Sequence, residues 1–145
     1  MQLSGIATLR TTIALDSGVR DRLAELKRSW RLRSIEGVIE QLLAGPPKTA
    51  KQLFLAHRSA VMKVLADYGV KRMVAFGSRA RGDARPDSDL DLMVRLPAGA
   101  SLFDQGNLMA DLEEVFGLKV DVVTPGPHLG RLGEQIAREG VVLVE

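Results

Sequence analysis

The chain has 145 residues, 46% of them hydrophobic and 26% charged, with a formal net charge of +2, a balance that is typical of a globular protein and argues against wholesale disorder. It contains no cysteine, so disulfide bonds and cysteine-ligated zinc are excluded. No apolar run approaches the roughly 20 residues that span a membrane, and the N-terminus lacks the pattern of a secretory signal, so we expect a cytoplasmic protein.

The first 45 residues predict a strand followed by two helices. Residues 9–16 alternate apolar and polar side chains, as a β-strand does. Apolar residues then recur at helical spacing from residue 17 to Trp30, and Ser34 can cap a second helix over residues 34–43. A segment of this size buries too little surface to form a core alone. The rest of its core must therefore come from the second part of the chain or from another copy.

This order of elements resembles the ribbon-helix-helix family of DNA-binding dimers, in which two strands pair into a ribbon that enters the major groove. The resemblance implies a homodimer in which Arg10, Thr12 and Ala14 face outward. Arg10 and Thr12 could then reach base edges, and Ser34 would offer backbone N–H groups to a phosphate of operator DNA. Residues 1–50 hold eight basic and five acidic side chains, which fits a polyanion contact. A helical hairpin that serves only dimerisation or docking is the alternative.

A boundary between two domains is indicated by the sequence AGPPK, residues 44–48. Gly45 can end a helix, and the two prolines that follow cannot continue one. We predict a ribbon-helix-helix-like module over residues 1–45, a linker over residues 46–50 and a second domain over residues 51–145.

Helices and strands alternate in the second domain. One helix is predicted from about Thr49 to Gly69, where glycine can end it. The later patterns predict strands over residues 70–76, 88–96, 118–124 and 141–144, with helices over residues 101–117 and 130–140. This alternation predicts an α/β (α+β) fold, in which helices pack on a small sheet.

Two aspartates in one predicted strand are candidate metal ligands. Asp89 and Asp91 lie two residues apart, so their side chains share one face of the strand. Neighbouring carboxylates either share a proton or bind a cation, and hard oxygen ligands suit Mg²⁺. Asp87 lies beside Pro86, in the loop before the strand, and is not a candidate. Asp121 lies in another apolar strand, where a carboxylate is costly unless it is paired or coordinated.

The position of Asp121 gives these carboxylates a possible common function. If its strand neighbours the strand of Asp89 and Asp91, three carboxylates converge, which is enough to hold two metal ions. Two-metal sites stabilise both the attacking and the leaving oxygen of an in-line phosphoryl transfer.

Residues 77–85 supply groups that can bind phosphates. Gly77 permits a close approach of the backbone, and Ser78 can offer both its hydroxyl and its N–H. Arg79, Arg81 and Arg85 can neutralise a triphosphate. Taken singly, a Gly-Ser turn, an Asp-x-Asp pair and a solvated basic loop are all common. Their joint occurrence favours a nucleotide site.

Residues 55–144 resemble a minimal nucleotidyltransferase of the DNA polymerase β superfamily. The match is a Gly-Ser pair at residues 77–78, ten intervening residues, and Asp-Leu-Asp at residues 89–91, with a later aspartate in KVDVV. The resemblance implies a mixed sheet flanked by helices and nucleotide phosphates bound at Gly77 and Ser78. It also implies two divalent cations, Mg²⁺ or Mn²⁺, held by Asp89, Asp91 and Asp121. Asp121 would in addition orient or deprotonate the attacking hydroxyl.

The activity that the resemblance implies is transfer of a nucleoside monophosphate, most often AMP from ATP, to a hydroxyl group. Minimal members of the family commonly pair with a HEPN-domain toxin, which they adenylylate as its antitoxin, so the acceptor would lie on a partner protein. Two alternatives stay open. One is a DNA-binding regulator whose second domain is mainly a partner-binding surface, and the other is an enzyme that acts on a small hydroxylated molecule or an RNA end.

Overall fold

The structure of the protein, a computed structural model, describes residues 11–145. These residues divide into two compact units, which separate between Leu43 and Ala44. Within this part of the chain, no helix combines the length and the apolar character needed to cross a membrane.

Two helices form most of the first unit. Helix α1 spans Ser17–Ser29 and helix α2 spans Ile35–Ala44. The side chain of Asp16 accepts a hydrogen bond from the Gly18 backbone N–H at 2.8 Å and caps α1. The Ser34 hydroxyl accepts one from the Gly37 N–H at 3.0 Å, as a residue that caps α2 should. Both predicted helices are confirmed.

The predicted strand over residues 9–16 is absent from its described part. Residues 11–16 have no regular secondary structure. A ribbon strand makes its backbone hydrogen bonds to another strand, and the described part of the first unit contains no second strand. Thr12 is exposed in this segment, while Arg10 lies outside the described residues. The DNA contacts assigned to Arg10, Thr12 and Ser34 stay predictions.

Two helices replace the single helix predicted from Thr49 to Gly69. Helix α3 spans Ala50–Ala56 and begins at a capping box formed by Thr49 and Gln52. Helix α4 spans Arg58–Asp67. The backbone leaves helical geometry at His57, whose φ is −121° and ψ is 19°. The His57 ring packs edge-on against the Phe116 ring at 5.9 Å between centroids, a tertiary contact that local spacing did not indicate.

Four strands form one mixed sheet in the order β3-β2-β1-β4. Strand β1 runs antiparallel to both β2 and β4, whereas β2 and β3 are parallel. All four strands and the mixed sheet flanked by helices confirm the predicted fold class. Their bounds are Met73–Phe76 for β1, Leu90–Val94 for β2, Val120–Val123 for β3 and Val141–Val144 for β4.

Three more helices connect the strands. Helix α5, Gly77–Arg81, follows β1 directly, so the predicted Gly-Ser turn is the first turn of a short helix. Helix α6, Leu102–Phe116, carries the chain from β2 to β3, and such a crossover allows these two strands to be parallel. Helix α7, Arg131–Glu139, lies between β3 and β4 in sequence.

The strand alternation divides apolar and functional side chains between the two faces of the sheet. The main core lies on one face and includes Leu90, Leu92, Val120 and Val122 together with side chains from α3, α4 and α6. The other face carries a smaller apolar cluster around Ile136 of α7. Residues 91 and 121 alternate with the core residues, so they lie on this second, less packed face.

Candidate functional site

The three predicted metal ligands lie near one another at the start of β2 and β3. Asp91 is the second residue of β2 and Asp121 is the second residue of β3, and they are partners in the register of the two parallel strands. Asp89 lies immediately before β2. All three side chains are partly exposed. The two strands are thus neighbours, which the convergence of carboxylates requires.

Asp91 has two negatively charged neighbours, Asp121 and Asp89, and one positively charged neighbour, Arg81. Burial raises its pKa, and the negative charges of Asp121 and Asp89 raise it further, while Arg81 lowers it. Oxygen donors with unbalanced negative charge fit a hard divalent cation. Within residues 11–145, however, no group of three or more His, Cys, Asp or Glu side chains is placed so that it could hold a metal ion. The carboxylates are therefore near neighbours on one face, and a cation would have to draw them together.

Asp89 differs from Asp91 because two positively charged side chains, Lys119 and Arg79, lie near it. The Lys119 ammonium nitrogen is 3.7 Å from Asp89 Oδ2. The backbone N–H of Leu90 donates to the Lys119 carbonyl at 2.9 Å, which fixes Lys119 beside Asp89. Sequence reasoning missed Lys119. The signal was its place directly before β3, opposite the residue that precedes the neighbouring β2.

Gly77 lies directly against the carboxylate of Asp91. Its φ is +74°, a conformation that favours glycine. A Cβ at this position would collide with the Asp91 side chain. The backbone at the start of α5 therefore approaches the carboxylate face more closely than any other residue type would allow, and Ser78 follows it in the same helix.

The prediction that Arg79 neutralises a triphosphate is wrong, because Arg79 is buried. Its side chain is only 4% exposed. Its Nε donates to the carbonyl of Ser88 at 2.9 Å, and one terminal nitrogen donates to the carbonyl of Lys48 at 2.8 Å. Burial lowers the pKa of Arg79, and the nearby negative charge of Asp89 opposes that shift. Arg79 therefore joins two backbone segments around α5 instead of facing the site.

Arg81 and Arg85 are exposed. Arg81 forms ion pairs with Asp83 at 3.3 Å and with Glu139 at 3.7 Å. Its positive charge also acts on Asp91, where it partly offsets the rise in pKa. Two residues correspond to 200° around a helix, so Arg79 and Arg81 leave α5 on opposite sides. Arg85 lies in the loop before β2, where its backbone N–H donates to the Ser88 hydroxyl at 2.8 Å. The binding of a triphosphate by Arg81 and Arg85 stays a prediction.

A cavity of about 620 Å³ opens at the opposite end of the parallel strands. Arg95, Ser101 and Thr124 line it, from the segments that follow β2 and β3. Four residues separate Arg95 from Asp91, roughly 13 Å along a strand. The cavity is therefore distinct from the carboxylate site.

Comparison with known proteins gives a consistent result for the second unit. The family model of the nucleotidyltransferase domain matches residues 58–141. The protein MJ0435 of Methanocaldococcus jannaschii, provisionally named as a protein adenylyltransferase, is 40% identical over 81 residues, which cover 56% of this chain and 87% of that protein. The protein adenylyltransferase MntA of Thermococcus cleftensis is 35% identical over 74 residues, covering 51% and 75%.

Solved structures show the same fold. A structure provisionally described as a minimal nucleotidyltransferase matches with a TM-score of 0.52 and 43% sequence identity, over 61% of this chain and 90% of that one. A toxin–antitoxin crystal structure with AMP-PNP matches with a TM-score of 0.50 over 59% and 70%. Its sequence identity is 22%, so this second likeness concerns the fold alone.

Replacing the buried arginine tests its structural role. We expect Arg79→Met to lower the free energy of unfolding by about 1–2 kcal/mol, because the carbonyls of Ser88 and Lys48 would lose donors in a partly buried position. Urea denaturation of the purified protein measures this loss. The matched control is Arg81→Met, which removes an exposed guanidinium and should change the unfolding free energy by less than about 0.5 kcal/mol. Equal effects of the two substitutions would contradict the assignment.

The charge of Asp91 makes stability depend on pH. Because its pKa is raised above the ordinary 3.8, its contribution to stability is present below that value and is lost as the pH rises through the raised pKa. Without added metal, Asp91→Asn should raise Tm at pH 7 by about 2 °C and leave it unchanged at pH 3. Differential scanning calorimetry measures both. Asp87→Asn, an exposed control, should change neither, and a lower Tm for Asp91→Asn at pH 7 would refute the argument.

Proposed function

The chain belongs to the nucleotidyltransferase domain family, and from this premise we propose that it transfers AMP from ATP to a hydroxyl group on a partner protein. The observation that carries the proposal is the close approach of the Gly77 backbone to the Asp91 carboxylate. Asp121 lies in register with Asp91 on the neighbouring strand. This arrangement puts backbone that can approach phosphates next to carboxylates whose charge is unbalanced. Transfer of a nucleotidyl group needs both.

The side chains of the site divide the work of such a transfer. Asp89, Asp91 and Asp121 are suited by charge and donor type to hold two Mg²⁺ ions, which when bound would stabilise the attacking and the leaving oxygens. Gly77 and Ser78 would bind the phosphates of ATP, and the exposed guanidiniums of Arg81 and Arg85 would balance their charge.

The acceptor hydroxyl needs a proton acceptor and a fixed position. Asp121 supplies both functions in this proposal, since a carboxylate oxygen can orient the hydroxyl and take its proton. Its neighbour across the strands, Asp91, keeps its charge for the metal. The bond that forms joins the acceptor oxygen to the α-phosphorus, and the bond that breaks releases pyrophosphate.

A protein acceptor is supported by the names of the sequence relatives. MJ0435 and MntA are named as protein adenylyltransferases, and this chain aligns with most of the length of each. Together with the resemblance to minimal nucleotidyltransferases, this favours the role of an antitoxin that adenylylates a HEPN-domain toxin.

The proposal predicts a covalent adduct on the partner. Incubation of the protein with [α-³²P]ATP, Mg²⁺ and a HEPN-domain partner should label the partner, and intact mass spectrometry should show one added AMP. Asp89→Asn should lower the initial rate at least about 100-fold, because one metal ligand loses its charge. Asp87→Asn, two residues away in the loop, is the matched control and should retain the rate.

Other outcomes of this experiment exclude the proposal. If no candidate partner is labelled while ATP is still turned over, the acceptor is a small hydroxylated molecule or an RNA end. If no ATP is consumed with any acceptor, the second unit is a binding surface and not a transferase.

Several apolar side chains of the first unit are exposed. Ile13 is 70% exposed, Leu42 50% and Leu43 83%. We propose that these side chains belong to a surface that another protein covers. A second copy of the chain is the partner in our proposal, because a segment of this size cannot complete a core by itself.

Self-association can be tested by changing this surface. The double variant Ile13→Ser, Leu43→Ser should weaken the dimer at least about tenfold in sedimentation equilibrium, because two apolar side chains lose their burial between the copies. Phe103→Ser is the matched control, since Phe103 is also 84% exposed but belongs to the second unit. A wild-type protein that sediments as a monomer at micromolar concentration would overturn the proposed dimer.

A further inference from the structure

The two cations beside Asp89 are held in different ways. Arg79 is buried and bonded to two backbone carbonyls, so it cannot move away without breaking both bonds. Lys119 is anchored only through its backbone, and its side chain is 68% exposed. Its contact with Asp89 is the only ion pair that Lys119 makes within residues 11–145. Lys119 is therefore the cation of this pair that can leave.

The other two carboxylates of the site have no such partner. Within the described part of the chain, neither Asp91 nor Asp121 forms a hydrogen bond or an ion pair through its side chain. Arg81 lowers the pKa of Asp91, but its own ion pairs are with Asp83 and Glu139. Of the three proposed metal ligands, only Asp89 starts with a mobile counter-ion. A divalent cation that binds there meets a lysine already in place.

We propose that Lys119 is a positioning residue that holds the Asp89 carboxylate before metal binding and competes with a free divalent cation for it. The proposal rests on the proposed function only in that Asp89 is a metal ligand. A free ion must displace the ammonium group and is also repelled by it. If a nucleoside triphosphate binds together with the metal, its phosphate oxygens would give the ammonium group of Lys119 a new anionic partner. Lys119 thus favours the metal–nucleotide complex over the free metal.

Substitution of Lys119 separates these two effects. Lys119→Gln removes the charge, while the hydrogen bond from Leu90 goes to the backbone carbonyl and is kept. Lys119→Arg keeps the charge. Lys63→Gln is the matched control, because Lys63 also forms one exposed ion pair, with Asp67 at 3.3 Å on α4.

Free Mn²⁺, measured by electron paramagnetic resonance, serves as the probe. Without nucleotide, Lys119→Gln should bind Mn²⁺ about fivefold more tightly than the wild type. The control variants Lys119→Arg and Lys63→Gln should bind Mn²⁺ as tightly as the wild type does. With α,β-methylene-ATP present, this advantage should disappear or reverse. The difference without nucleotide should shrink as the salt concentration rises, because screening weakens an exposed charge interaction.

The measurement needs no acceptor and no transfer reaction, so its result is independent of the adduct experiment. Unchanged or weaker Mn²⁺ binding by Lys119→Gln would overturn the proposal, since Lys119 would then be an ordinary surface residue. A wild-type protein that binds no Mn²⁺ would also overturn it, because Asp89 would not be a metal ligand. A tighter Mn²⁺ complex in a protein that transfers no AMP would support the role of Lys119 and refute only the proposed function.

Discussion

The parallel pairing of β2 and β3 is the constraint on which the site depends. It sets Asp91 opposite Asp121 on the less packed face of the sheet, while Leu90, Leu92, Val120 and Val122 anchor the same strands in the main core. Burial raises the pKa of Asp91, and repulsion by the carboxylate of Asp121, which lies in register with it, raises the pKa further. The apolar packing on one face of the sheet therefore holds the two carboxylates close together on the other face, where their repulsion is unfavourable without a cation.

The sequence contained most of the information on this arrangement. Alternation with period two predicted that Asp91 and the apolar residues around it face opposite ways, and the spacing from Gly77 to the Asp-Leu-Asp motif identified the segment that meets them. What alternation cannot give is the partner of a strand. The pairing of β2 with β3 sets Asp121 in register with Asp91, and the crossover by α6 allows this parallel pairing.

The errors have a common cause, which is that local patterns do not state direction or tertiary contact. Three arginines within seven residues looked equivalent, yet the turn of α5 sends Arg79 inward to backbone carbonyls and leaves Arg81 outside. Helical spacing continued through His57, where packing against Phe116 accompanies a break in the helix. Residues 11–16 have strand-like alternation but lack a strand to pair with in the described part of their unit. In each case the deciding interaction is made with a distant residue.

The charges around the three aspartates link the stability of the fold to its function. Arg79 is required by the backbone of Lys48 and Ser88 whether or not the site is used, and it also brings a fixed positive charge near Asp89. Lys119 adds a second, mobile charge at the same carboxylate. Asp91, in contrast, has only the partial influence of Arg81 against two negative neighbours. The negative charge left unbalanced thus lies at Asp91 and Asp121, and Asp91 is next to Gly77, where the backbone can come closest to a phosphate. A divalent cation held by these carboxylates would offset both the repulsion within the protein and the charge of a bound nucleotide, so the proposed function would compensate for an arrangement that lowers stability.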